Sequence, residues 1–370
     1  MPDVRWTDDL LDRMRGAGDP GADDAIAEVY AAGQAEPVRQ ALLGFGWNGQ
    51  AIPDGLPPKL RDYLDRSSVL PDWADPARME RGNDLLGRYE PHVLSTLLCG
   101  SLPLCYACAN GVQVLHRSQR LTGQVYRRLV ETSQFVVDVL DEGGLGADGR
   151  GVRSAQKIRL LHATMRYHVS SLGDWDNNGG IPINQEDLAG TLLSFAVVIP
   201  LGLQRLGVEL PARDRDDFFH IWRVIGHVLG VDERLNPSDF DSAVVLKDRI
   251  LERQQAPSEA GREMTKALLD FTREVLPGPA FAGVGPSLMR HLAGDRTADI
   301  LAVPPADWTS LGLQLQSDLS FGYGKTGDKV PLAGKLASEF GRVALKEGLR
   351  MTNKGRRYEW QVPTGLAEPS

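Results

Sequence analysis

Apolar residues recur along most of this chain with the period of an α-helix, whereas the two-residue alternation of a half-buried strand is almost absent. One predicted helix runs from Arg153 to Leu172. Its apolar face consists of residues at helical spacing, namely Ile158, Leu161, Met165 and Val169. Further helices are predicted over 119–140, 184–204, 214–229, 240–254 and 258–276. The pattern therefore predicts an all-α fold.

The spacing of glycine and proline divides the chain into three predicted regions. Short amphipathic pieces separated by these residues make 1–74 a helical N-terminal extension. The strongest helical patterns lie in 75–302, the predicted main domain. The remainder, 303–370, is richer in glycine, lysine and polar residues and is predicted to be a C-terminal tail packed on that domain.

Two uncharged stretches, 93–115 and 188–204, are apolar enough to raise the question of a membrane span. The first contains Gly100 and Pro103 in its middle, which predict a break between two buried helices. The second contains Pro200 and is predicted to be a buried helix with a proline kink. We therefore expect no transmembrane segment, although peripheral membrane contact would suit an apolar substrate.

Charge and cysteine content narrow the function classes. The net charge of −8 leaves no basic surplus to neutralise phosphates, which argues against a nucleic-acid partner. The acidic N-terminus lacks the apolar stretch of a secretory signal, so a cytoplasmic protein is expected. Cys99, Cys105 and Cys108 are an odd number in an apolar stretch and are predicted to be free buried thiols. The oligomeric state is not encoded in any of these features.

The histidine at position 162 falls on the apolar face of the predicted 153–172 helix. A buried imidazole needs a partner, which could be a backbone carbonyl, a carboxylate or a metal. Arg159 and Arg166 lie about one turn to either side. Such a group would suit a haem site, with the imidazole on iron and the guanidinium groups on the propionates. A plain salt-bridged helix has the same composition, so periodicity leaves both readings open.

The preceding predicted helix also presents polar side chains near its apolar face. Arg128 and Thr132 are one turn apart there, with Glu131 adjacent. An arginine on such a face requires an anion or several acceptors.

A second histidine pair lies in the predicted 214–229 helix. His220 and His227 are seven residues apart and share a face, so with a third ligand they could bind a metal. A pocket wall in which His220, Trp222 and Arg223 contact a cofactor is equally consistent, as are surface or capping histidines.

Three motifs together resemble the MpaB-type oxygenases, which are similar to the latex-clearing rubber oxygenases: Arg159–Arg166, Gly180–Asp187 and His220–Gly226. The resemblance extends over roughly 75–302. It implies an all-helical, globin-like bundle around non-covalent haem b. It also implies the use of dioxygen, which the rubber oxygenases direct at isoprenoid C=C bonds.

The resemblance assigns roles to particular residues. His162 takes the position of the proximal iron ligand. The family has an arginine 34 residues upstream of the ligand and a threonine one turn later. Since 162 − 34 = 128, these are Arg128 and Thr132. Rubber oxygenases can place a lysine just before that threonine, as a distal iron ligand. Here Glu131 stands there and could donate or accept a proton.

These inferences predict a haem b-dependent oxygenase that uses O2 on a hydrophobic small molecule such as an isoprenoid. A non-catalytic haem- or lipid-binding helical protein is the alternative from another class. A helical enzyme with a metal at His220 and His227 is the third possibility, although no paired Glu-x-x-His motif is present.

Overall fold

The computed structural model describes residues 5–122, 125–173, 175, 179–275, 282–305, 334, 336–338 and 340–343, and their side chains except those of 118–122, 125–130, 172 and 275. Within this part the chain is helical and forms no strand; one isolated bridge joins Cys108 to Gln255. The helices are α1 Asp8–Arg15, α2 Pro20–Ala31, α3 Ala35–Leu42, α4 Pro58–Arg66, α5 Pro76–Thr96, α6 Leu102–Tyr106, α7 Val112–Thr122, α8 Val125–Leu140, α9 Gly151–Leu172, α10 Gln185–Ala196, α11 Val198–Arg205, α12 Ala212–Val228, α13 Phe240–Gln254, α14 Glu259–Val275, α15 Val284–Ala293 and α16 Asp295–Ile300. A π-helical turn, Leu97–Ser101, joins α5 to α6, and a 3₁₀ turn, Glu233–Leu235, precedes α13.

Most predicted helices are present with nearly the predicted bounds. The α13 helix covers the predicted 240–254 range, and Asn184 caps α10 by accepting a hydrogen bond from the Asp187 N–H at 3.0 Å. The range 119–140, predicted as one helix, is helical in its described residues. These belong to α7, described to Thr122, and to α8, described from Val125, whereas residues 123–124 lie outside the described part.

The uncharged 93–115 stretch is buried as predicted, but its break lies elsewhere. The backbone passes Gly100 in the π-helical turn, and Pro103 stands in the first turn of α6. Proline is tolerated there because the first helical N–H groups have no partner within the helix. The chain leaves the helix only after Tyr106, in the turns that lead to α7.

The second apolar stretch forms α10 and α11, joined at Val197. Among the described residues, one helical stretch, Gln185–Arg205, is long and apolar enough to cross a membrane. Of its most apolar window, 78% is buried inside the molecule, as in the core helix of a globular protein. Pro200 lies in the first turn of α11, so the predicted proline kink is a helix boundary.

Three apolar clusters hold the helices together. The largest joins α5, α8, α9, α10 and α12. Another lies between α2, α3 and α4 and includes Leu160 and Ala163 of α9, so the predicted N-terminal extension shares its core with the main domain. The third joins α6, α7, α14 and α15 and buries Leu336 and Phe340 of the predicted tail. Apart from 334, 336–338 and 340–343, residues 306–370 lie outside the described part, and the domain boundaries stay a prediction.

Candidate functional site

The α8 and α9 helices contact each other where α8 ends and α9 begins. The Ser154 hydroxyl donates to the Asp138 carboxylate at 2.6 Å, which makes these two residues neighbours across the pair. A β-carbon on Gly151 would lie 2.9 Å from the Val139 Cα, so the helices are in close contact at this end. Only glycine permits that approach.

Counting along the two helices from this contact relates His162 to the predicted distal residues. His162 is eight residues beyond Ser154, and eight residues back from Asp138 is Val130 (138 − 8 = 130). Because both helices rise equally per residue, an antiparallel packing that continued from this contact would bring His162 level with the segment between Arg128 and Thr132. The side chain of Arg128 lies outside the described residues. The side chains of Glu131 and Thr132 are half-buried, as is His162.

The His162 imidazole lies on a mostly apolar face of α9. Ile158 and Val169 on that face are 9% and 2% exposed. Phe135 and Val136 of α8 belong to the same apolar cluster as Ile158. The face of α9 that carries His162 is therefore apolar as predicted, and the role of His162 toward iron stays a prediction.

The two arginines that bracket His162 both pair with α2. Arg159 donates from Nε and Nη2 to the two carboxylate oxygens of Asp19, at 2.7 and 2.9 Å. Arg166 donates from Nε to Asp23 at 2.7 Å. Their side chains are only 13% and 7% exposed. The salt-bridged reading left open by the sequence thus describes their contacts, and a role toward haem propionates stays a prediction.

His220 is engaged by the polypeptide itself. Its Nε2 accepts the backbone N–H of Asp75 at 3.0 Å, which requires an unprotonated nitrogen there. Burial, helped by the charge of Arg78, lowers the pKa of His220 from 6.5 to about 4. His220 is therefore a neutral ring that accepts a hydrogen bond from Asp75, the N-cap residue of α5. His227 instead contacts Glu233 through Nδ1 at 2.7 Å.

The predicted pocket wall divides between two environments. The ring of Trp73 contacts both histidines edge-on, at centroid distances of 6.1 Å for His220 and 6.2 Å for His227. The Arg223 guanidinium stacks 3.7 Å above the same ring. Trp222 is 1% exposed and stacks instead on Phe195, at 4.9 Å. The described ring contacts of these residues are thus with Trp73 and Phe195. The role of the predicted wall toward a cofactor stays a prediction.

Two buried nitrogens in this wall lack a hydrogen-bond acceptor among the described residues. They are Nε1 of Trp222 and Nε of Arg223. A buried N–H without an acceptor is costly, so each marks a place where a further acceptor would be favourable.

The described residues give little support to the third possibility, a metal held directly by side chains. No three His, Cys, Asp or Glu side chains converge within this part of the chain. The histidine nitrogens that such a site would use bond to Asp75 and Glu233. Burial raises the pKa values of the Cys105 and Cys108 thiols, so both are protonated.

Sequence reasoning did not single out the acidic partners on α2. Asp19 and Asp23 are one helical turn apart, and Asp19 is the N-cap of a helix that starts with Pro20. That pattern is typical of a solvated helix start. The sequence offers one indication of these pairs. Asp19 and Asp23, four residues apart, lie on one side of their helix, as do Arg159 and Arg166, seven residues apart.

Comparison with known families matches residues 93–315 to the family described as ER-bound oxygenase mpaB/B′/Rubber oxygenase, catalytic domain. This match covers more than half of the chain. The protein belongs to this oxygenase family. The resemblance seen in the three sequence motifs is thereby confirmed.

Individual relatives agree with this membership. The rubber oxygenase of Streptomyces sp. (strain K30) is 26% identical over 288 residues, which are 77% of this chain and 70% of that protein. The structure of latex clearing protein LCP in the closed state matches with a TM-score of 0.77, covering 95% of both chains at 23% identity. This likeness confirms the predicted all-α fold.

Proposed function

We propose that this protein is a haem b-dependent oxygenase that uses O2 on a hydrophobic small molecule of the isoprenoid type. Membership of the oxygenase family supports the reaction class. The relative named rubber oxygenase supports the substrate class, because rubber is a polyisoprene. The observation that carries the proposal is the setting of His162, half-buried on a face of α9 that shares an apolar cluster with α8.

The residues around His162 fit a haem better than a metal held by side chains alone. A haem requires one strong axial ligand and an apolar slot, because the porphyrin supplies the other four ligands. A bare zinc or iron ion would require three or more converging side chains. His162, half-buried on a mostly apolar face of α9, would supply the imidazole for such a group.

When bound, the haem would supply the iron at which O2 is activated. The chain itself would hold the iron through His162 and surround it with apolar side chains of α8 and α9. The Thr132 hydroxyl can donate a hydrogen bond to a polar group between the helices. Glu131, which stands where rubber oxygenases can have a lysine, can accept or return a proton there. The same apolar surroundings would favour a hydrocarbon substrate over a polar one.

The first test is the absorption spectrum of the protein purified from haem-replete cells. We expect a Soret band in the wild type and its loss in His162→Ala, because the variant removes the side chain that would hold the haem iron. His227→Ala is the matched control, because the described partners of the His227 ring are Trp73 and the exposed Glu233. A wild type that is purified without a Soret band, and that shows only the spectrum of free haem after haem addition, would exclude the haem proposal.

The second test separates catalysis from passive binding. Oxygen uptake is measured with a panel of terpenoids, fatty acids and aromatic compounds. Uptake that depends on a terpenoid supports the oxygenase proposal. A haem-loaded protein that consumes no oxygen with any compound would instead favour the alternative, a non-catalytic haem- or lipid-binding protein.

A further inference from the structure

Arg159 and Arg166 each connect α9 to α2 and also to one further segment of the chain, which differs between the two arginines. The Nη1 of Arg159 donates to the carbonyl of Val228, at the end of α12, at 3.0 Å. The Nη1 of Arg166 donates to the carbonyl of Ile183 at 3.0 Å. Ile183 has a φ of +50°, a conformation that a β-branched residue rarely adopts, so its carbonyl is held in a strained loop. Both arginines are therefore fixed from two directions.

The aspartates on α2 are fixed in turn. The backbone N–H of Asp19 donates to the Asp23 carboxylate at 3.0 Å, which ties the two acids together. The position before Asp19 has room only for glycine. A β-carbon on Gly18 would lie 2.6 Å from an oxygen of Asp23 and 3.3 Å from the Arg166 side chain. The start of α2 is thus shaped around the two ion pairs.

These pairs restrain rotation of α9 about its own axis. Residues 159 and 166 are seven apart and lie on one side of the helix, and residue 162 lies between them along the axis, slightly rotated from that side. A rotation of about 20° would move a ring nitrogen roughly 8 Å from the axis by 3 Å or so. An axial ligand must be held to within about 0.5 Å to keep its bond to a metal.

We propose that Asp19 and Asp23 are positioning residues that set the orientation of His162 toward the haem, an inference that rests on the proposed function. They act through Arg159 and Arg166 and do not touch the cofactor. The N-terminal helix α2, which lies before the matched family region of 93–315, is on this reading part of the oxygenase site.

The test replaces one carboxylate while keeping its shape. Asp19→Asn removes the charge opposite Arg159 but retains an oxygen that can cap α2, where Asp19 now accepts the Ala22 N–H. The matched control is Asp217→Asn. Asp217 has the same 5% side-chain exposure as Asp19 and also pairs with arginines, at 2.9 Å with Arg78 and 2.6 Å with Arg81. Its pairs join α5 to α12 and leave α9 untouched.

The measurements are the rate of haem transfer to excess apomyoglobin and the electron paramagnetic resonance spectrum of the ferric protein, with the melting temperature of the apoprotein alongside. We expect Asp19→Asn to lose haem about tenfold faster than the wild type and to show a broadened, heterogeneous ferric signal. Asp217→Asn should lower the melting temperature similarly yet keep the wild-type transfer rate and signal. Asp19→Glu should restore the narrow signal in part, because the charge returns.

The outcomes separate this inference from the proposed function. Wild-type haem loss and a wild-type signal in Asp19→Asn, at a lowered melting temperature, would show that the pairs only stabilise the fold. Equal changes in both asparagine variants would overturn the inference in the same way. A wild type without haem overturns the proposed function and this inference together. If Asp19→Asn does not fold, Asp23→Asn serves instead, because Asp23 is more exposed at 35% and accepts one hydrogen bond from Arg166, whereas Asp19 accepts two from Arg159.

Discussion

At the scale of single residues, burial decides the protonation of His220. The unfolded chain takes up a proton near the ordinary pKa of 6.5, whereas the folded protein resists protonation until about pH 4. The unfolded state therefore binds more protons between these values, and stability is lost as the pH falls through 6.5 toward 4. Above pH 6.5 this contribution to stability is fully present.

His220→Gln should weaken that pH dependence. The glutamine oxygen can accept the Asp75 N–H without titrating, so we expect the variant to lose less stability than the wild type between pH 7 and pH 5. The difference should be roughly 1–2 kcal/mol at pH 5, measured by urea unfolding at both pH values. Identical pH dependences of the two proteins would contradict the assignment.

Asp187 changes the stability with pH in the opposite direction to His220. Its effect cancels when the wild type is compared with His220→Gln. Burial raises the pKa of this carboxyl from 3.8 to about 6, against the opposing charge of Arg15. The folded protein holds a proton that the unfolded chain releases, so this contribution to stability increases as the pH falls through 6. Because both proteins in the comparison contain Asp187, its effect cancels in their difference.

At the scale of elements, the contact between α5 and α12 depends on one glycine. A β-carbon on Gly82 would lie 2.6 Å from the carbonyl oxygen of Asp217 and 3.1 Å from the Ile221 side chain. A backbone carbonyl within a helix cannot move aside easily. The approach of the two helices therefore requires glycine at this position.

Gly82→Ala should lower the free energy of unfolding by about 1–3 kcal/mol through overpacking, despite the better helix propensity of alanine. Gly87→Ala in the same helix is the control, because a β-carbon there meets nothing within 4 Å. It should raise stability by up to about 1 kcal/mol. Chemical unfolding of both variants measures the effects, and an equal gain in the two would refute the steric argument.

At the scale of the whole molecule, the N-terminal helices are part of one folded unit with α9. Their apolar cluster includes Leu160 and Ala163 of α9, and their acids neutralise Arg159 and Arg166. Removing these helices would expose apolar surface and leave two largely buried cations without counter-ions, which is strongly destabilising.

A chain that begins at residue 75 should therefore lack a cooperative thermal transition and be poorly soluble. Circular dichroism melting and size-exclusion chromatography measure this outcome. Supplying 1–74 as a separate polypeptide should recover part of the structure, because the contacts are non-covalent. A truncated chain that melts cooperatively at the wild-type temperature would show that the extension is an independent unit.

The sequence alone determined the all-α class, most helix positions and the oxygenase family, because these depend on local periodicity and on motifs within single segments. It also placed His162 on an apolar helix face. The tertiary structure decided which elements pack on its helix: α8 at the Asp138–Ser154 contact, and the partners of Arg159 and Arg166 at the start of α2. Those partners lie about 140 residues away along the chain, and only packing brings such distant charges together.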